Sequence, residues 1–170
     1  MKHFFLIFLA IGFGILTYAQ TQYEVSFDGT NKILKGTISR ELIADDPCFS
    51  WFAQNQAGYL PDTQTVAILR SKKEKVKLTI VAGTWNESCK LALPKIFALL
   101  AKASFPQENV TLIGVDRQRS AIGVPAEDLH PSSLPTLIIT DEKGECGRVT
   151  RFGNSSPWEH EIAQIVRAVN

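Results

Sequence analysis

Long apolar runs, clustered charge and cysteine are all scarce in this chain of 170 residues, and each shortage narrows what it can be. The one continuously apolar stretch, Phe4 to Leu16, holds thirteen residues. A helix needs about 20 to cross a bilayer, so this run is short for a permanent anchor. Lys and Arg total 18 against 17 Asp and Glu, with no long run of either sign, so neither nucleic acid nor an anionic membrane surface is an expected partner. Three cysteines, Cys48, Cys89 and Cys146, leave at least one thiol unpaired in any disulfide scheme. The sequence also lacks a phosphate-binding glycine loop, a G-x-S-x-G elbow, ligands at zinc spacing and a carboxylate pair with a shared role. Neither an internal repeat nor a low-complexity linker occurs.

What stands at the front is a different signal. Met1-Lys2-His3, the apolar run and the small-residue end Thr17-Tyr18-Ala19 have the three regions of a secretory signal peptide over residues 1–19, with cleavage expected near Ala19. The expected product is extracytoplasmic, either periplasmic or secreted, with no stable membrane span once the leader is removed. No cysteine follows the cut, so a lipoprotein is not expected. From Gln20 to Asn170 the length suits one domain with a real hydrophobic core.

Tyr23, Val25 and Phe27 alternate with Glu24, Ser26 and Asp28, predicting a half-buried strand that ends at Asp28-Gly29, and Lys32 to Ile38 reads as its return strand. Asp46-Pro47 offers an N-cap and a first-turn proline to a short helix carrying Phe49 and Phe52 and ending near Gly58. Pro61 opens a second helix through Val66 and Leu69. Residues 20–75 thus form an accessory segment of the same domain, ahead of a core at 76–170.

That core is more sharply patterned. Lys77 to Ala82 is short, apolar and rich in β-branched residues, which suits a buried strand stopping at Gly83-Thr84. The next helix carries Cys89, Leu93, Ile96, Phe97 and Leu100 on one face, so Cys89 is expected inside. Asn109 to Val115 is a second buried strand, parallel to the first in a right-handed βαβ unit. After a loop with Gly123 and Pro125, Thr136 to Thr140 and Cys146 to Arg151 flank Asp141-Glu142-Lys143-Gly144 as a hairpin. Ser156-Pro157-Trp158-Glu159 supplies an N-cap, a first-turn proline and a capping-box glutamate to a closing helix with Ile162, Ile165, Val166 and Val169. The whole predicts an α/β fold: a central mixed β-sheet flanked by helices, with an N-terminal accessory hairpin and short helices.

From Lys77 to Val169 the order strand, helix, strand, connection, hairpin, helix resembles the thioredoxin family. Gly83-Thr84-Trp85-x-x-x-Cys89-Lys90 resembles its active-site turn, Pro94 its helix-kinking proline, and Leu134-Pro135-Thr136 its cis-proline segment; Gly153 also fits. Secreted bacterial thioredoxin-like proteins are closest in character. The resemblance implies a thioredoxin-like fold, no cofactor and no metal. It also implies a protein or peptide partner, including a thiol protein, bound around Trp85, Leu134, Pro135 and Thr136. In the family's dithiol mechanism an exposed first cysteine at a helix N-terminus attacks as a thiolate, and a shielded second cysteine one turn later resolves the mixed disulfide.

Here Asn86 stands at the attacking position and Ile80 at the strand position where many members carry a buried carboxylate. Cys89 is left as a monothiol. Asn86 is a favourable N-cap, and Thr84 with Glu87 can equally make a capping box, so two helix starts are open. Three functions follow. One is a degraded monothiol site that binds protein or peptide thiols, and another is a non-catalytic module using the cis-proline edge. The third is an oxidoreductase in which Cys48 replaces the lost cysteine in space. Against these stand plainer readings: Cys89 as an inert core thiol, Cys48 packed beside Phe49, and Cys146 free at the start of a hairpin strand. Trp85 is expected to shape a contact surface and Trp158 to pack. His130 is a lone histidine before Leu134-Pro135. Asp116, Arg117 and Arg119 follow the second parallel strand, where open α/β sheets bind ligands, although a solvated loop explains them too.

Overall fold

The computed structural model describes residues 23–124, 129–153 and 156–169. The expected signal peptide, its cleavage point and Pro125 lie outside the described residues. Among those described, six strands form one mixed sheet. They are β1 (Tyr23–Asp28), β2 (Asn31–Ile38), β3 (Lys77–Ala82), β4 (Val110–Gly114), β5 (Thr136–Asp141) and β6 (Gly144–Val149). Their order across the sheet is β1-β2-β4-β3-β5-β6. β3 and β4 run parallel, as their separation by a long helix requires, and the other pairs are antiparallel. The helices are α1 (Glu41–Ala44), α2 (Trp51–Gln56), α3 (Thr63–Lys72), α4 (Glu87–Lys102) and α5 (Trp158–Ala168). None of them is long and apolar enough to cross a membrane.

Paired residues share a face, so Leu34, Ile38, Leu112, Ile80, Leu137 and Val149 line one side of the sheet. The helices cover that side. Lys32, in line with Leu34, reaches Asp46 at 2.5 Å, and a Cβ placed on Gly147 would stand 3.1 Å from Ile165 of α5. There α2 packs on α4 and α3 on α5, and their apolar residues merge with the strands into one core. Each fully buried Leu or Ile in it contributes about 1.5–3 kcal/mol. On the opposite face lie the described parts of the connection from β4 to β5, held by Lys35 to Asp116 at 2.7 Å and by Arg148 Nη1 donating to the Leu129 carbonyl at 2.8 Å.

Pro94 lies inside α4, where it has no N–H to give the carbonyl four residues back. That carbonyl, on Lys90, accepts instead from Asn55 Nδ2 of α2 at 3.1 Å, while Gln56 Nε2 reaches the Pro94 carbonyl at 3.4 Å. The hydrogen bond that Pro94 cannot make and the α2–α4 contact are therefore one feature.

Four expectations change. β1 is exposed at all six positions rather than half-buried, because it is the outermost of the described strands. α3 begins at Thr63 with Asp62 as its N-cap, Oδ2 accepting from Thr65 N at 2.7 Å, so Pro61 precedes the helix rather than opening it. Ser156 does not cap α5: its hydroxyl donates to the Arg151 carbonyl at 2.8 Å. Glu159 makes no capping box either, since its carboxylate accepts from Tyr59 Oη at 2.6 Å and from Asp62 N at 2.7 Å. It thereby satisfies the N-cap amide of α3, the task a glutamate three residues into α3 would otherwise perform. α1 is an added turn of helix that apolar periodicity did not mark.

Candidate functional site

The candidate site sits at the carboxyl ends of β3 and β4, where the chain leaves β3 through Gly83-Thr84-Trp85 and enters α4. Val115 N donates to the Ala82 carbonyl at 2.9 Å and holds the two strand ends together. Thr84 is buried and bound across to β2, donating from Oγ1 to the Lys32 carbonyl at 2.8 Å and accepting from Leu34 N at 3.2 Å. It is not free to cap the helix. Asn86 does so, in extended conformation with its Oδ1 accepting from Cys89 N at 3.0 Å, which decides between the two helix starts. Glu87 pairs along the helix with Lys90 Nζ at 2.6 Å.

Cys89, one turn in, is 0 % exposed, as its place on the apolar stripe requires. Gly83 N donates to its Sγ at 3.4 Å. Burial pushes its thiol pKa up to about 12, and the Gly83 bond opposes that shift only in part. Ile80 of β3 is also fully buried, and its side chain carries no group that could accept a proton.

Trp85 folds back over Gly83 instead of standing out. Its Nε1 donates to the Val115 carbonyl at 2.9 Å, and a Cβ on Gly83 would come within 2.7 Å of that nitrogen. The Arg117 guanidinium lies 4.9 Å from the ring centroid and pairs with Asp28 of β1. Trp85 is thus partly covered, by a cation–π lid. Only the part of the ring that Arg117 leaves open is exposed to solvent.

The peptide bond Leu134-Pro135 is cis. The pairing of Val81 with Thr136 continues to set Pro135 beside Ala82, which brings this segment against the turn. Leu134, Pro135 and Thr136 are all buried, and Thr136 Oγ1 donates to the Ser133 carbonyl at 2.7 Å. Their side chains belong to the core, so the segment can offer a partner backbone rather than side chain.

The three cysteines are free thiols, Cys48 and Cys146 exposed and Cys89 buried. A short 3-10 helix, Pro47–Phe49, turns Phe49 inward at 2 % exposure and Cys48 outward, so Cys48 is not the packed neighbour of Phe49 that the sequence suggested. Its amide donates to Asp46 Oδ1 at 2.9 Å. Cys48 and Cys89 are not joined.

The charged residues after β4 are structural. Asp116 accepts from Gln118 N and Ser120 N and pairs with Lys35, and these bonds hold its carboxyl below the usual range against the desolvation that would raise it. Arg119 donates to the Pro131 carbonyl at 2.9 Å, tying this loop to the cis-proline segment. His130 is exposed. No cluster of His, Cys, Asp and Glu among the described residues could hold a metal ion. Arg117, a candidate from its place after β4, covers Trp85 instead, and Asn55, which no motif marks, partners Lys90. Both act across long sequence separations, which periodicity and motif spacing do not register.

No family model matches the chain, and no curated protein matches it. Among solved structures it is similar to a protein of unknown function from Pseudomonas aeruginosa, with 17% identity, a TM-score of 0.46 and coverage of 69% of this chain and 80% of that one. It is also similar to an HIV epitope-scaffold, with 19% identity, a TM-score of 0.44 and coverage of 69% and 81%.

Proposed function

We propose that this chain is an exported, thioredoxin-like protein that binds a protein or peptide at its former active-site turn and performs no thiol-disulfide turnover. The observation that carries this reading is Cys89: fully buried, with a thiol pKa pushed up to about 12. A protonated thiol facing the core suits the shielded second position of such a turn but cannot open a disulfide from outside, and no cysteine stands at the first position to do so. Asn86 supports the same reading, since its side chain is spent on the helix cap at the position where a nucleophile would stand. The thioredoxin-like part is supported by the order β3, α4, β4, β5, β6, α5, by the parallel β3–β4 pair and by the cis Leu134-Pro135 bond beside the turn. Export is supported by the signal-peptide pattern of residues 1–19.

Burial favours binding over a monothiol reaction, which would need Cys89 at the surface. The reading with Cys48 as second redox cysteine has only the exposure of Cys48 in its favour. The test is insulin reduction together with alkylation mass spectrometry on the purified protein. The expected result is no reductase activity, a Cys89 that resists alkylation until denatured, and measurable activity gained on Asn86→Cys. Strong insulin reduction by the unaltered protein would refute the proposal, as would a Cys48–Cys89 disulfide that cycles with reductant.

A further inference from the structure

The two edges of the sheet are unlike. β6 carries a register shift against β5 between Ile139 and Thr140, and irregularity of that kind blunts an edge against further pairing. β1 carries no shift, no proline and no lysine, and it pairs with β2 in unbroken register from Tyr23 to Asp28. Its apolar side chains are open to solvent, with Tyr23 38 %, Val25 47 % and Phe27 66 % exposed. These three share the face of Leu34, so they extend the sheet's apolar side beyond the helices that cover the rest.

The backbone of β1 is also poised. A two-residue loop with Gly29 at φ 59 closes the hairpin on the pair Asp28–Asn31. In such a turn the closing pair exchanges hydrogen bonds, and bonded pairs then alternate along the strands. Asp28, Ser26 and Glu24 therefore spend their amides and carbonyls on β2, and Tyr23, Val25 and Phe27 direct theirs to the free edge.

We propose that β1 pairs antiparallel with β1 of a second copy of this chain, centred on Val25, and joins the two sheets into one. Charge selects this register. Centring on Ser26 sets Glu24 opposite Asp28 of the second copy, and centring on Glu24 sets two glutamates face to face, both unfavourable. Centring on Val25 sets Glu24 opposite Ser26, Val25 opposite Val25, and Tyr23 opposite Phe27. In this register each outward-directed amide and carbonyl finds a partner, and the two apolar stripes meet on one face with an aromatic pair at either end. The acidic residues keep their own partners on the far face, where Asp28 pairs with Arg117 and Glu24 stands opposite Lys35.

Sedimentation equilibrium on the purified protein tests the pairing. The unaltered protein is expected to be a dimer that dissociates on dilution. Val25→Lys sets two lysines against each other and weakens association by about tenfold or more. Ser26→Lys, one residue along, sets a lysine against Glu24 of the second copy and strengthens it. Both positions are exposed, and circular dichroism confirms that the variants fold. A monomer at every concentration up to about 1 mM overturns the proposal. A dimer indifferent to Val25→Lys does the same, and so does weakening by Ser26→Lys, which contradicts the register.

Discussion

Replacing Cys89 by Ala converts the argument about its thiol into a measurable pH dependence. The thiol of the folded protein ionises at about 12, against a reference value of 9.0 for the unfolded chain. Unfolding in alkali therefore releases a proton that the folded state retains, and stability falls as pH rises from about 9 towards 12. Each unit of separation corresponds to about 1.4 kcal/mol, so by about pH 10.5 this single group costs the folded state about 2 kcal/mol relative to about pH 8. Cys89→Ala abolishes that loss but leaves a small void and deprives Gly83 N of its acceptor, a cost of about 1–3 kcal/mol at any pH. The variant should thus be the weaker protein at about pH 8 and should draw level with the parent by about pH 10.5. Urea unfolding of both proteins at the two pH values gives the comparison, and the other groups that titrate there are common to both. A stability gap that stays constant between the two conditions would mean that Cys89 is not held protonated by burial, and the reasoning that separates this site from a redox site would fail.

Two further substitutions test the connections around the site. Glu159→Gln keeps one acceptor for Tyr59 Oη or Asp62 N but turns an amide against the other. It should cost about 1–3 kcal/mol in urea unfolding, and a double-mutant cycle with Tyr59→Phe should show coupling between the two. Gly83→Ala drives a methyl against the indole of Trp85, so the Nε1 bond to Val115 should break; the indole proton resonance would shift and exchange faster with solvent, at a stability cost of about 1–3 kcal/mol.

Legibility in the sequence followed locality. The bounds of β3 and the buried stripe of α4 from Cys89 to Leu100 are legible in the sequence because in both cases the pattern lies within a single element. Asn86 could be named as a cap but not chosen over Thr84, since what commits Thr84 is β2, more than fifty residues earlier in the chain. β1 shows the reverse error. Its alternation of apolar and polar residues is real, but alternation reports that a face is apolar and not whether anything covers it. Glu159 sits where a capping box would place it, and it does serve a helix start; the helix is α3, reached through the tertiary fold.

That last bond bears on the order in which the chain can become stable. α3 is made early and α5 late, yet the start of α3 depends on a carboxylate from α5, and its end is tied to the same region by Lys72 Nζ donating to the Val169 carbonyl at 2.6 Å. A nascent chain that has emerged only as far as β6 has the apolar face of α3 without its cover and the Asp62 amide without its acceptor. Both ends of α3 are therefore completed only when α5 has docked.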